Sequence, residues 1–299
     1  LKIAVIMGGV SAERAVSLNT GDAIVKACKA IGHIVIPVTL EDTLGPLIPE
    51  LKQADLVFNA LHGGQGENGV IQGFFESLGI PYTGSGPLSS ALCMDKHFSK
   101  SIAHHNGILT PFWQCVRSVE VTIDPERFKY PLVVKPNDQG STVGISIVRQ
   151  EEDLRQAIES ALRYSESVII ENFIAGRELT VTILGDEVYP IVEIIPSHEV
   201  YDYECKYIQG LTEYICPANL SEAETEDIQK TAMDIFRLFH CRHYGRVDFR
   251  FDSHGKAWFL EVNTLPGMTA TSLVPKAAKA SGVSFEELVH KIITEATET

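Results

Sequence analysis

At 299 residues the chain is long enough for more than one domain, each with a core of its own. A hydrophobic share of 44% reads as an ordinary globular protein, and no apolar run approaches the length of a membrane span. The net charge of −14 argues against a general binder of nucleic acid or of anionic membrane, although a local basic pocket stays compatible with it. Six cysteines lack any C-x-x-C pair or metal-ligand spacing, so they read as reduced thiols in a cytoplasmic protein.

The first part alternates strand and helix. Lys2–Met7 is a strand that enters a turn at Gly8 and Gly9, which is not the pattern of a signal peptide. Val16, Thr20, Ile24, Ala27 and Ile31 then keep helical spacing on one face. Strands are expected at 34–40 and 56–61 and a helix at 70–78, a β-α-β order that implies a parallel sheet with helices on both faces. Ligands of such sheets sit beyond the carboxyl ends of the strands, where the Gly-rich turns 8–13 and 62–69 fall.

After Gly84 and Gly86 the pattern changes. One helix is expected over 89–106, with His104 and His105 suiting the negative end of its dipole. A strand at 130–135 ends on Lys135 and runs into the Gly-rich loop 136–144, followed by another strand, a helix near 151–163 and a strand at 167–172. The hairpin 179–194 turns at Gly185 and Asp186, and a polar, aromatic loop spans 201–219. Ser221 and Glu224 form a capping box for the next helix, and a last helix covers 284–296. The fold class is therefore α/β, with an α+β C-terminal part. A partition into 1–86, 87–170 and 171–299 follows the changes of pattern.

Two segments carry candidate chemistry. Residues 246–251 and 258–263 alternate as the arms of a hairpin. If Val247, Phe249 and Phe251 share a face with Trp258, Leu260 and Val262, then Asp248, Glu261 and Asn263 converge on the other. Two carboxylates and an amide form a hard oxygen site suited to Mg²⁺. An ion-pair cluster, with Arg246 and Arg250 neutralising Asp248 and Glu261, fits the same pattern equally well. Lys135 beside the loop 139–144 suits phosphate oxygens, but a plain hairpin loop with a surface lysine has the same appearance. There is no P-loop, no H-E-x-x-H and no G-x-S-x-G, and the first turn lacks G-x-G-x-x-G, which weakens a dinucleotide reading.

Taken together, 7–14, 60–63, 82–86, 94–96, 134–136 with Gly140 and Ser141, 201–207, 245–248, and 260–268 with Ser272 and Leu273 resemble the D-alanine–D-alanine ligases of the ATP-grasp superfamily almost end to end. The resemblance implies an ATP-grasp fold with an N-terminal Rossmann-like domain and the ADP-forming ligation of two D-alanines for bacterial peptidoglycan. It makes Asp248, Glu261 and Asn263 the ligands of Mg²⁺, two ions being expected and Mn²⁺ an acceptable substitute. Lys96 and Lys135 would hold ATP phosphates, Glu171 with the backbone of Phe173 and Ile174 would read adenine, Glu178 would bind ribose, and Lys206 joins the nucleotide contacts. Glu13 would anchor the ammonium of the first D-alanine, with His62 nearby, and Ser272 and Leu273 would take the carboxylate of the second. Arg246 and the Gly267 amide would stabilise the oxyanion, and Glu13, Ser141 and Tyr207 would tie a loop over the site. An intact Lys206–Tyr207 pair argues against a D-lactate or D-serine ligase of the same fold, and the oxyanion residues argue against a non-catalytic ATP-binding module. Cys205 stands where a small residue is usual, and no catalytic thiol is expected there. A homodimer is also implied, with no nucleic-acid or membrane partner.

Overall fold

The computed structural model describes residues 1–140, 143–197 and 211–298, which form three sheets drawn in turn from successive stretches of the chain. The first is parallel, in the order β2 (Ile34–Leu40), β1 (Lys2–Gly8), β3 (Leu56–Asn59). Ile3, Val5 and Met7 point to one face of it, against α1 (Arg14–Ala30). Ala4 and Ile6 point to the other, against α2 (Ile48–Leu51) and α3 (Val70–Leu78). This is the two-faced burial expected of a parallel strand.

The second sheet is antiparallel, in the order β4 (Trp113–Val116), β7 (Val168–Asn172), β5 (Leu132–Pro136), β6 (Ser146–Val148), and is backed by α6 (Leu154–Ala161). The third contains β8 (Arg177–Leu184), β9 (Glu187–Val188), β10 (Val192–Pro196), β11 (Thr212–Ile215), β12 (Tyr244–Phe251) and β13 (Ala257–Asn263). Its long helix, α7 (Glu222–Leu238), starts with the expected capping box between Ser221 and Glu224.

Three departures from the sequence expectation bear on the site; in addition, β4 had no counterpart in it, and β11 is a strand within the stretch 201–219 that was expected to be loop. The helix expected over 89–106 is two helices, α4 (Pro87–Met94) and α5 (Lys96–His105). Asp95 between them is extended, and its carboxylate accepts from the Phe98 N–H at 2.9 Å, so a new N-cap interrupts the helical spacing. The break makes Lys96 the first residue of α5. A further helix, α8 (Leu273–Ala280), had no counterpart in the sequence reading. It packs with α9 (Phe285–Glu298) between the first sheet and β8 and β10, so the C-terminal residues share a core with the N-terminal ones.

The third departure lies in the β12–β13 hairpin. Asp248 stands opposite Glu261 and Val247 opposite Val262, as expected, but Phe249 stands opposite Phe259. Leu260 is the extra residue of a β-bulge, and strict alternation fails there. Phe259, not Trp258, therefore enters the core, fully buried against Phe249 and Phe239. Trp258 instead donates its indole N–H to the Asp252 carboxylate at 2.8 Å. Phe259→Ala should lose about 3–5 kcal/mol in urea denaturation, the range of large core truncations, with a clearly smaller loss for Trp258→Ala. Equal losses would contradict the bulged register.

Candidate active site

Two adjoining cavities open between the sheets. The larger, about 640 Å³, is lined by Glu13, His62, Glu67, Lys96, Gly140, Arg246, Glu261, Asn263, Gly267, Ser272 and Leu273, among others. The smaller, about 130 Å³, is lined by Lys96, Lys135, Gly140, Glu171, Phe173, Ile174, Glu178, Arg246, Asp248, Arg250, Leu260 and Glu261 together with apolar residues such as Val133, Ile145 and Ile194. Every described residue expected at an amino-acid site lines the first, and every described one expected at the nucleotide lines the second. Lys96, Gly140, Arg246 and Glu261 line both.

Local structure explains each placement. Glu13 is the N-cap residue of α1, directly after the Gly-rich turn that follows β1. Gly63 lies in the left-handed region at φ +70°, which favours glycine, and a Cβ there would press on Glu13 Oε2 at 2.8 Å. His62 is buried, with Nε2 3.1 Å from Thr20 Oγ1 and Nδ1 3.4 Å from Glu67 Oε1. Ser272 precedes α8, whose first N–H groups have no helical partners and favour an anionic group. A Cβ on Gly267 would approach Ser272 Oγ to 2.9 Å, so the turn at Gly267 passes close to the start of the helix.

At the shared wall each carboxylate meets a cation from another side chain. Arg246 holds Asp248 in a bidentate pair at 2.8 and 2.7 Å, and Thr180 Oγ1 donates to Asp248 Oδ1 at 2.5 Å. Lys96 Nζ lies 3.3 Å from Glu261 Oε2 and donates to the Gln139 carbonyl at 2.8 Å. Asp248, Glu261 and Asn263 supply only hard oxygen donors, on adjacent residues of two paired strands, so the set fits a divalent cation completed by water or phosphate. Such a cation would compete with Arg246 for Asp248. Among the described residues no group of three or more His, Cys, Asp or Glu side chains converges to hold a metal, and this set has two carboxylates and an amide.

At the smaller cavity, Lys135 Nζ lies 2.5 Å from Glu171 Oε1, and Lys100 Nζ lies 2.8 Å from Oε2. Burial opposes the charge on Glu171, but the two lysines prevail and hold its carboxyl down at about 2. Arg250 donates to the carbonyls of Ile174 and Gly176 at 3.1 and 2.6 Å and approaches Glu178 at 3.4 Å, so it braces the 173–178 segment. Sequence reasoning missed Glu67, Lys100 and Thr180, and gave Arg250 only a neutralising part. The signal for Lys100 was its place four residues after Lys96 on one helix. Ser141, Tyr201, Tyr203, Cys205, Lys206 and Tyr207 lie outside the described residues.

A D-ala D-ala ligase C-terminus model matches residues 102–294, and a D-ala D-ala ligase N-terminus model matches residues 46–85. The chain belongs to the D-alanine–D-alanine ligase family. It is 44% identical over 294 residues to a D-alanine–D-alanine ligase of Aquifex aeolicus, covering 98% of this chain and 100% of that one. A Geobacter sulfurreducens ligase is 45% identical over 298 residues, covering 99% and 94%. The crystal structure of a Bacillus anthracis D-alanine–D-alanine ligase complexed with ATP superposes with a TM-score of 0.89 at 36% identity, covering 100% of this chain and 98% of that one. The ATP-grasp fold expected from the motifs is therefore the observed one, and within this ligase framework the two cavities meet at a single wall.

Because Glu171 ionises well below the ordinary carboxylate value of 4.5, its ionisation stabilises the folded ligase fully above that pH. That contribution is lost as pH falls from 4.5 through about 2. Urea midpoints measured across this window should fall more steeply for the wild type than for Glu171→Gln, and parallel slopes would show that Glu171 titrates normally.

Proposed function

We propose that this family member joins two D-alanines to D-alanyl-D-alanine, converting ATP to ADP and phosphate, through a D-alanyl phosphate formed at the wall between the two cavities. The observation that carries this reading is the sharing of Lys96, Gly140, Arg246 and Glu261 by a cavity that gathers Glu13, His62 and Ser272 and a slot with apolar walls and basic groups. A carboxylate resists attack by an amine because oxide is a poor leaving group. Transfer of the terminal phosphoryl group of ATP to the first D-alanine's carboxylate replaces oxide by phosphate, and the second D-alanine's amine then displaces that phosphate. The protein's part is positioning and charge neutralisation.

In this reading Glu13 holds the first D-alanine's ammonium, with His62 beside it, and Ser272 and Leu273 at the start of α8 take the second D-alanine's carboxylate. Arg246 and the Gly267 amide stabilise the tetrahedral oxyanion. Lys96 and Lys135 neutralise phosphates, Glu171 with the backbone of Phe173 and Ile174 receives adenine, and Glu178 receives ribose. Asp248, Glu261 and Asn263 would hold Mg²⁺, one ion or two, with Mn²⁺ as a substitute; bound there, it would draw charge from the transferring phosphate. The partition into 1–86, 87–170 and 171–299, a homodimeric state and a cytoplasmic place in peptidoglycan synthesis complete the proposal. Among the described residues no helix is long and apolar enough to cross a membrane.

Phosphate release from MgATP should require D-alanine, should not occur with L-alanine alone, and should yield the dipeptide by mass spectrometry. Folded, ATP-binding protein without D-alanine-dependent release would refute the proposal. Arg246→Met should lower kcat by about 10²–10³, the effect of removing one oxyanion donor. Glu261→Gln should raise the Mg²⁺ concentration needed for half-maximal rate, and an unchanged Mg²⁺ requirement would remove Glu261 from the ion site.

A further inference from the structure

Lys100 is completely buried, lines neither cavity, and has no part in the chemistry described so far. Its ammonium lies 2.8 Å from Glu171 Oε2 and donates to Thr110 Oγ1 at 2.7 Å. Thr110 in turn donates to the Phe259 carbonyl at 2.9 Å. One side chain on α5 thus ties the edge of the nucleotide slot on β7 to strand β13, which carries Glu261. Trp113, opposite Glu171 in the β4–β7 ladder, places its ring 5.3 Å from the same ammonium.

A buried ammonium without a ligand-binding role is an expensive structural element, because an apolar residue of similar length would fill the space without desolvating a charge. Its position suggests what it does. Glu171 has two oxygens: Oε1 faces Lys135 at the slot, while Oε2 faces Lys100 behind it. With Lys135 alone, the carboxylate would be free to rotate both oxygens toward that one cation. With Lys100 gripping it from behind, Oε1 keeps a fixed direction and a lone pair for a donor in the slot. A carboxylate so held accepts from an exocyclic amine such as adenine's and repels the carbonyl that guanine presents at the equivalent position.

We propose that Lys100 is a positioning residue for nucleotide-base selection, acting through Glu171 without touching the nucleotide. The inference rests on the reading of the smaller cavity as the ATP site. Thr110 belongs to the same device, since its hydroxyl fixes the second side of the ammonium.

The test is calorimetric titration of the intact protein with MgATP and with MgGTP, together with steady-state kinetics. Lys100→Met should weaken ATP binding by about tenfold or more and lower the ATP-to-GTP affinity ratio by a similar factor, the scale of one charge-assisted hydrogen bond. KM for ATP should rise far more than kcat falls, and KM for D-alanine should move much less than KM for ATP. A folded Lys100→Met protein that keeps the wild-type ATP-to-GTP ratio overturns the inference and leaves Lys100 a purely structural cation. If that variant does not fold, Thr110→Val serves in its place, with a smaller loss of discrimination in the same direction expected and an unchanged ratio overturning the inference. Wild-type protein that binds neither nucleotide overturns the ATP-site reading itself, a failure separable from that of Lys100.

Discussion

A cleft proposed to receive a polyphosphate, a divalent cation and two zwitterions has to hold many fixed charges close together before any of them arrives. Uncompensated, those charges would repel one another or lose their ionisation through burial. The ligase meets this constraint by pairing them across elements: Arg246 with Asp248 along β12, Lys96 of α5 with Glu261 of β13, and Lys135 of β5 together with Lys100 of α5 on Glu171 of β7. The same pairs set the geometry of the two cavities. An ion-pair cluster and a cation site, which the hairpin pattern left as alternatives, are thus compatible descriptions of one set of side chains, and Arg246 is the group that a bound cation would have to share or displace.

The bulge at Leu260 serves the same end. Without it, the period-two pattern would send either Phe259 or Glu261 to the wrong face. The extra residue lets Phe259 enter the core against Phe239 and Phe249 while Leu260 and Glu261 both line the smaller cavity. One irregular residue therefore reconciles a packed core with a carboxylate aimed into the cavities, in keeping with the frequency of bulges beside active sites. Asp95 does a comparable service between α4 and α5. By capping α5 it ends one helix and begins another, and so brings Lys96 to the shared wall with Lys100 one turn behind it.

The larger cavity depends on a longer-range arrangement. α8 and α9, from the last part of the chain, share a core with β1, β3 and α1 from the first. That core sets Ser272 and Leu273 at the start of α8 opposite Glu13 at the start of α1, so the two helix starts contribute to one cavity from opposite ends of the sequence. The chain's net charge of −14 gives no hint of the cations gathered at the wall, because charge balance over the whole sequence says nothing about which residues become neighbours.

Much of this was legible in the residues alone. Local rules determined the parallel order of the N-terminal sheet, the capping box at Ser221, and the facing of Asp248 and Glu261, because each depends on side-chain period or on contacts a few residues apart. The motifs from Met7 to Leu273 gave the family and with it the ATP-grasp fold. Tertiary structure decided what local rules could not reach. It put the break at Asp95 where helical spacing continued, the bulge at Leu260 where alternation continued, and α8 where no amphipathic signal had been read. It also made Lys100, one lysine among the 25 basic residues, into a buried partner of Glu171. A residue's type and spacing determine the face it presents to its own element, whereas its burial and its charge partners depend on which elements pack against that face, and that is settled only when the three sheets close on one another.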